Sequence, residues 1–307
     1  MGALLYIPWF KAEQMNIPLP FPILGIDAIP IQPFGVLVAV GVLSALRVSE
    51  NFARRNRWSP EVASDFFVHA FGIGFVGAIV LNAIFYYPAE VWDMMTGKMP
   101  WRMLGLSSFG GFFGSIFGVY VWKKRRDLPL LPIADAAAYS FPFGWVFGRS
   151  GCFVVHDHPG RVTDVFLAVA DYPVGPPPFE PRHDLGFYEV LWSIGCMALF
   201  MYLGRKERRP GLYLALLPLL YAPIRFYLDF LRAGSDLGGD VRYVGFTPGQ
   251  YSSIAFLLLG VMLLRKVLTT EPSPLPAGIA WPPVDEDDPG DGPKAKKDAS
   301  KASAKAG

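Results

Sequence analysis

Apolar residues along this chain gather into long runs separated by short polar or proline-rich stretches. Seven windows, at about 33–51, 62–87, 105–122, 133–154, 187–204, 211–231 and 249–267, each approach the roughly 20 apolar residues a helix needs to cross the hydrocarbon core of a bilayer. The pattern predicts an all-α integral membrane protein, a bundle of about seven transmembrane helices. Before the first run, Pro8, Pro18, Pro20, Pro22 and Pro30 interrupt any helix, and there is no basic stretch leading into an unbroken apolar core. Residues 1–30 therefore read as a surface arm rather than a cleavable leader, with Leu4 to Phe10 resting on the outer face of the membrane. Residues 31–268 form the transmembrane domain. From 269 to 307 the chain is rich in Pro, Asp, Lys, Ala and Ser and cannot build a core, which predicts a disordered tail.

Composition agrees with the pattern: 52% of the 307 residues are hydrophobic and only 18% charged, too apolar for a soluble chain of this length. Basic residues then set the orientation. Arg47, Arg54, Arg55 and Arg57 follow the first run, Lys123 to Arg126 the third, Lys206 and Arg208 the fifth, and Arg265 and Lys266 the last. Loops 88–104, 155–186 and 232–248 instead balance their basic residues with Glu90, Asp93, Asp164, Glu180, Asp236 and Asp240. The excess of Lys and Arg belongs on the cytoplasmic side, so the predicted topology is N-out, C-in. Only Cys152 and Cys196 occur, the latter inside an apolar run, which excludes a disulfide framework. No phosphate loop, dinucleotide fingerprint or zinc-finger spacing is present. No metal, cofactor or nucleic-acid partner is expected.

Charged residues inside such runs are costly, about 2–3 kcal/mol at the bilayer centre, and mark candidate sites. Arg149 closes the fourth run within Gly148-Arg149-Ser150-Gly151-Cys152-Phe153 and leads into His156-Asp157-His158-Pro159-Gly160-Arg161. The sixth run carries Tyr221, Arg225, Asp229 and Arg232 at spacings of four, four and three, which places them on one helix face. With the predicted topology, both groups lie toward the outer leaflet. Three arginines beside one carboxylate leave positive charge for an anion, and the guanidinium fork suits a phosphate. A phospholipid headgroup is the anion at hand. The alternative is that Asp229 and Asp157 pair with two of the arginines merely to hold loops in place. Gly110, Gly111, Gly114 and Gly118 form a small-residue face that admits either a neighbouring helix or a lipid.

Gly148-Arg149-x-Gly151 followed by Gly160-Arg161 resembles the signature of the bacterial prolipoprotein diacylglyceryl transferases. The resemblance extends through Gly110-Gly111, Asp135, Arg182-His183, Tyr188-Glu189, Gly211, the Tyr221-Arg225-Asp229-Arg232 helix and Gly249-Gln250. It implies a multi-pass enzyme of the bacterial inner membrane. That enzyme would move the diacylglyceryl group of phosphatidylglycerol onto the lipobox cysteine of a prolipoprotein signal-peptide region, releasing glycerol phosphate. It would assign Arg149 and Arg225 to the phosphate, with Arg232 and Asp229 orienting them, and would place Gly110, Gly111, Gly151, Gly160 and Tyr221 against the lipid.

Several positions depart from that pattern. Phe109 replaces the family's histidine, Phe34 a tyrosine, Cys152 an asparagine, Asp157 and Asp229 glutamates, and Ile79 and Asn82 an arginine and a tyrosine. Phenylalanine accepts no proton, so His156 and His158, with Asp157 between them, are the candidate bases; the alternative is two ordinary loop histidines. His183 falls in a matched motif and is expected to brace the outer loop. Cys152 beside Arg149 is either a small packing residue or a thiolate held by the arginine. Two functions remain open: the transferase, and a diverged lipid-binding relative with another acceptor or no catalysis.

Overall fold

The computed structural model describes residues 6–23, 26–99, 105–234, 237, 240, 242–271 and 279–280. The chain is helical throughout its apolar part, with eight helices among these residues: α1 (Pro33–Arg55), α2 (Pro60–Tyr86), α3 (Pro88–Met95), α4 (Ser108–Arg125), α5 (Leu130–Val155), α6 (Leu185–Leu203), α7 (Leu212–Leu231) and α8 (Pro248–Thr269). Every one of the seven apolar windows contains a helix. Six of them, α1, α2, α5, α6, α7 and α8, are long and apolar enough to cross a membrane. α4 has 18 residues but spends its last turn on Lys123, Lys124 and Arg125, which shortens its apolar stretch. The protein is thus a multi-pass helical membrane protein. Leu4 and the tail after residue 271, apart from Ile279 and Ala280, lie outside the described residues.

Local sequence explains where the helices begin. Ser59 accepts from the Val62 N–H ahead of Pro60, and Ser107 accepts from the Gly110 N–H. Asp184 accepts from the Phe187 N–H, and Thr247 with Gln250 closes a reciprocal capping box. Each satisfies a backbone donor that a helix start leaves free. α7 has no side-chain cap of its own, because its first position is Gly211 in the left-handed region at φ +91°. Asp135 of α5 reaches over and accepts from the Leu214 N–H at 2.8 Å.

Two short antiparallel ribbons accompany the helices. One pairs β1 (Met15–Ile23) with β2 (Ile26–Ile31), and the other pairs β3 (Pro159–Val162) with β4 (Arg182–Asp184). The prolines of the arm exclude helix, as expected, but they do not exclude strand. In a two-stranded ribbon both strands are edges, and a proline there can turn its missing N–H outward.

The chain divides into two compact units, residues 1–49 with 130–272 and residues 50–129 with 273–307. In the second unit, α2 packs along α4 through glycines. A Cβ on Gly77 would lie 2.6 Å from the Gly110 carbonyl oxygen, and one on Gly114 would lie 2.7 Å from that of Ile73. The small face of α4 therefore admits a helix, and Gly110 is buried under α2. At the far end of this pair, Trp122 Nε1 and Arg126 Nε donate to Asp65 Oδ2 at 2.9 and 3.0 Å. In the first unit α5 packs on α6 and α7, and α7 on α8. α1 joins them where Gly41 and Gly144 bring the backbones of α1 and α5 together.

Candidate active site

Arg149 sits one and a half turns from the end of α5 with a side chain that is only 12% exposed. Its Nε lies 2.7 Å from Oε2 of Glu189, an α6 carboxylate that is 1% exposed, although the N–H does not point along that line. The guanidinium also rests over the Trp145 ring at 4.8 Å, and Tyr221 of α7 donates to Glu189 Oε2 at 3.3 Å. Glu189 thus ties three helices together. The sequence pattern had placed it only as a landmark at the start of a helix. A carboxylate in an apolar run was the signal that could have singled it out.

On α7, Tyr221, Arg225 and Asp229 keep helical spacing, but the helix ends at Leu231 and Arg232 is its extended C-cap residue rather than part of the helix face. Arg225 donates to Asp229, which is fully buried, and Arg232 Nε lies 3.4 Å from the same carboxylate. Thr247 Oγ1 donates to the other Asp229 oxygen, and Arg232 also faces Asp240 at 3.4 Å. Gly249 brings the start of α8 against this group; a Cβ there would lie 2.6 Å from Asp229 Oδ2 and 2.9 Å from Arg225 Nη2. Arg242 ties the connecting loop down by donating to the Asp229 carbonyl at 3.0 Å and to Gln250 Oε1 at 3.3 Å. Thr247 and Arg242 escaped the sequence reading, since both lie in loop sequence with no periodicity.

Counting only Asp229 against the three arginines overstated the imbalance. With Glu189 included, three guanidinium groups face two buried carboxylates, Glu189 and Asp229, and Asp240 is 44% exposed. The buried cluster keeps one positive charge in surplus.

The two candidate histidines have opposite environments. His156 has a side chain with no exposed surface, its Nδ1 2.6 Å from Asp184 Oδ2. Trp9 stacks on it at 4.3 Å, with Phe10, Phe153 and Tyr172 around its edges. Its Nε2 is buried with no hydrogen-bond partner among the described residues. Burial and the Asp184 charge push the Tyr172 phenol well above its usual range, so it stays protonated and donates to the His156 carbonyl at 2.9 Å. Among the described residues this ring has no exposed surface, and His156 braces the turn after α5. His158, 24% exposed, instead faces Asp157 Oδ1 with Nδ1 at 2.6 Å and Arg149 Nη1 with Nε2 at 3.2 Å. Arg149 Nη1 also contacts Cys152 Sγ at 3.6 Å. Arg149, Cys152, Asp157 and His158 thus form one group. Cys152 and Cys196 are both free thiols.

The remaining positions are close approaches of the backbone. A Cβ on Gly160 would lie 2.5 Å from His183 Cβ and 2.8 Å from the Leu231 carbonyl oxygen, and Arg182 donates to the Gly160 carbonyl at 3.1 Å. Gly160 also bridges to Arg232 through its backbone. A Cβ on Gly151 would lie 2.9 Å from the Phe34 ring. His183 pairs with Tyr188 at 2.7 Å, and burial together with the Arg161 charge holds its ring below the usual histidine range. Gly110 and Gly111 belong to the second unit, where α2 covers Gly110; Phe109 lies in the first turn of α4.

A family model described as prolipoprotein diacylglyceryl transferase matches residues 22–266. Among curated proteins, the phosphatidylglycerol–prolipoprotein diacylglyceryl transferase of Gloeobacter violaceus is 28% identical over 251 residues, covering 78% of this chain and 90% of that protein. The protein of the same name from Chromohalobacter salexigens is 29% identical over 262 residues, with 80% and 93% covered. That of a Janthinobacterium strain is 26% identical over 273 residues, with 83% and 98% covered.

Proposed function

We propose, because this chain belongs to the prolipoprotein diacylglyceryl transferase family, that it transfers the diacylglyceryl group of phosphatidylglycerol to a prolipoprotein. The acceptor atom is the thiol of a lipobox cysteine, and glycerol phosphate leaves. The observation that carries the reading is the buried arginine cluster. Its one surplus charge matches the single negative charge of a phosphodiester, and its guanidinium groups are oriented by Glu189 and Asp229. The enzyme works in the bacterial inner membrane. The basic last turns of α1, α4 and α8 support an N-out, C-in arrangement.

In the reaction the acceptor sulfur attacks the glyceryl carbon and the carbon–oxygen bond to phosphate breaks. The electron pair leaves on the phosphate, where charge grows. Arg149 and Arg225 bind that phosphate and stabilise the growing charge; because their carboxylate partners are already in place, little reorganisation is needed. Arg232, Asp229 and Tyr221 keep the two arginines in position. The acceptor thiol gives its proton to water beside Asp157 and His158, the part of the group that is open to solvent.

The test uses purified protein, phosphatidylglycerol and a synthetic lipobox peptide, with peptide mass as the readout and a Cys-to-Ser peptide as control. A cysteine-dependent gain of one diacylglyceryl group is expected. One observation favours a second reading, a lipid-binding relative without turnover: Phe109 puts no proton acceptor in the first turn of α4. Lipid retained with no mass gain would establish that reading and remove the first.

A further inference from the structure

Cys152 Sγ, a carboxylate oxygen of Asp157 and a ring nitrogen of His158 all lie within 4.8 Å of one another. A thiolate, an imidazole and a carboxylate form a zinc donor set, with three protein ligands and a fourth position left for a substrate. We infer that Cys152, Asp157 and His158 hold a zinc ion that takes the acceptor thiol as its fourth ligand. The inference rests on the transferase reading for the identity of that fourth ligand, but the ion-binding part stands on this donor set alone.

Zinc bonds of about 2.0–2.3 Å place tetrahedral donors roughly 3.3–3.8 Å apart. Closing the present spacing asks for about 1 Å of movement, and Asp157 and His158 are 42% and 24% exposed on a loop that leaves them room. The protein already treats this point as a place for positive charge: both Cys152 Sγ and His158 Nε2 face Arg149 Nη1. Arg149 is anchored separately, through the ion pair of its Nε with Glu189 and its seat over Trp145. Nη1 can therefore turn away while the arginine stays in place. Electrostatics permits the exchange. The Cys152 thiolate and Asp157 offset the two charges of zinc, and Glu189 offsets Arg149.

The ion supplies what Phe109 and the sealed His156 do not. A thiol that coordinates zinc gives up its proton, here to water, and the thiolate is the nucleophile. Its sulfur then forms the bond to the glyceryl carbon as the carbon–oxygen bond breaks and the electron pair leaves on glycerol phosphate. The product is a neutral thioether, a poorer zinc ligand than a thiolate, and it can dissociate.

Binding is measured on the full-length, tag-free protein in detergent, with zinc alone and neither lipid nor peptide present. Zinc content after dialysis and competition with a chromophoric chelator give stoichiometry and affinity; cobalt in place of zinc reports the sulfur ligand through its thiolate charge-transfer absorption. One ion per chain is expected. Cys152→Ser and His158→Gln should each weaken it by about tenfold or more, since losses of 10–100-fold follow even from removing groups outside the ligand set. Cys196→Ser should leave it unchanged. The cobalt spectrum of the unaltered protein needs no variant to fold. Absence of a stoichiometric ion, or a charge-transfer band that survives Cys152→Ser, overturns the inference. The two readings fail separately: lipid transfer by chelator-treated protein at full rate sinks the zinc site and keeps the transferase. Zinc bound through Cys152 with no transfer keeps the site and sinks the transferase.

Discussion

The α2–α4 pair and the α5–α8 group solve the problem of packing helices in an apolar solvent in different ways. α2 and α4 meet through Gly74, Gly77, Gly110 and Gly114, whose backbones approach too closely for any side chain between them. An ion-paired network, Asp65 with Trp122 and Arg126, lies at the end of the pair, where Arg126 is 55% exposed. The α5–α8 group instead buries Glu189 and Asp229, each at 1% exposure or less, and surrounds them with arginines. Close contact between glycine faces is sufficient to join two helices in a bilayer, where apolar surface alone drives little association. Burying charge costs several kcal/mol per ion before pairing, so the second arrangement is unnecessary for packing and points to a ligand.

The largest effect that would sharpen this contrast is expected at Asp229. Asp229→Ala leaves Arg225, Arg232 and Thr247 without their common partner. Thermal or denaturant unfolding in detergent should show a loss of about 3–5 kcal/mol, the range for breaking a buried pair from one side. A loss under about 1 kcal/mol would mean that this carboxylate is not buried as described.

Next come Arg149→Ala and Arg225→Ala. If the cluster serves the leaving phosphate, each should lower the rate of diacylglyceryl transfer by about 100- to 1000-fold, as removal of a single charge-stabilising donor does, and should weaken phosphatidylglycerol binding. Unchanged lipid binding in both variants would return the arginines to a purely structural role and erase the difference between the two helix groups.

A smaller loss, about 1–3 kcal/mol, is expected for Gly110→Leu. The new side chain would be driven into the Gly77 carbonyl and the Ala78 and Leu81 side of α2. Lipid transfer per folded molecule should remain, and a selective loss of phosphatidylglycerol binding would instead make Gly110 a lipid contact. Least of all should come from Arg126→Gln. Its partner Asp65 keeps the Trp122 donor, and a half-exposed pair of this kind contributes about 0–1 kcal/mol, readable as a small change in unfolding midpoint that fades in high salt.

Much of this organisation was legible in the chain. Runs of about 20 apolar residues announce their helices because the bilayer sets their length. The Tyr221-Arg225-Asp229 face was readable because helical spacing alone puts those residues together; Arg232 reaches Asp229 from the extended cap after Leu231. α3 was not readable, being only eight residues that open on Pro88 and end at Thr96. Nor was the β1–β2 ribbon, where prolines that forbid a helix are tolerated at strand edges. Glu189 was visible as a residue and invisible as a partner, because the arginine it holds lies 40 positions earlier on another helix.

His156 and His158 mark where sequence stops and tertiary structure begins. Two residues apart in one loop, they have the same chemistry and the same local sequence, and nothing in the chain separates a sealed brace from an open site. The separation is made by Trp9 and Tyr172, which close over His156 from distant segments, while Arg149 and Asp157 meet His158. By itself the sequence determined the membrane, the seven apolar helices and the Tyr221, Arg225 and Asp229 face, since each follows from composition or from spacing within a single helix. Which carboxylate holds Arg149, which glycines serve packing, and which histidine stands with Cys152 and Asp157 were decided only by the tertiary structure. Those outcomes depend on contacts between segments far apart in the chain, and burial, charge pairing and proton access are properties of such contacts rather than of the residues alone.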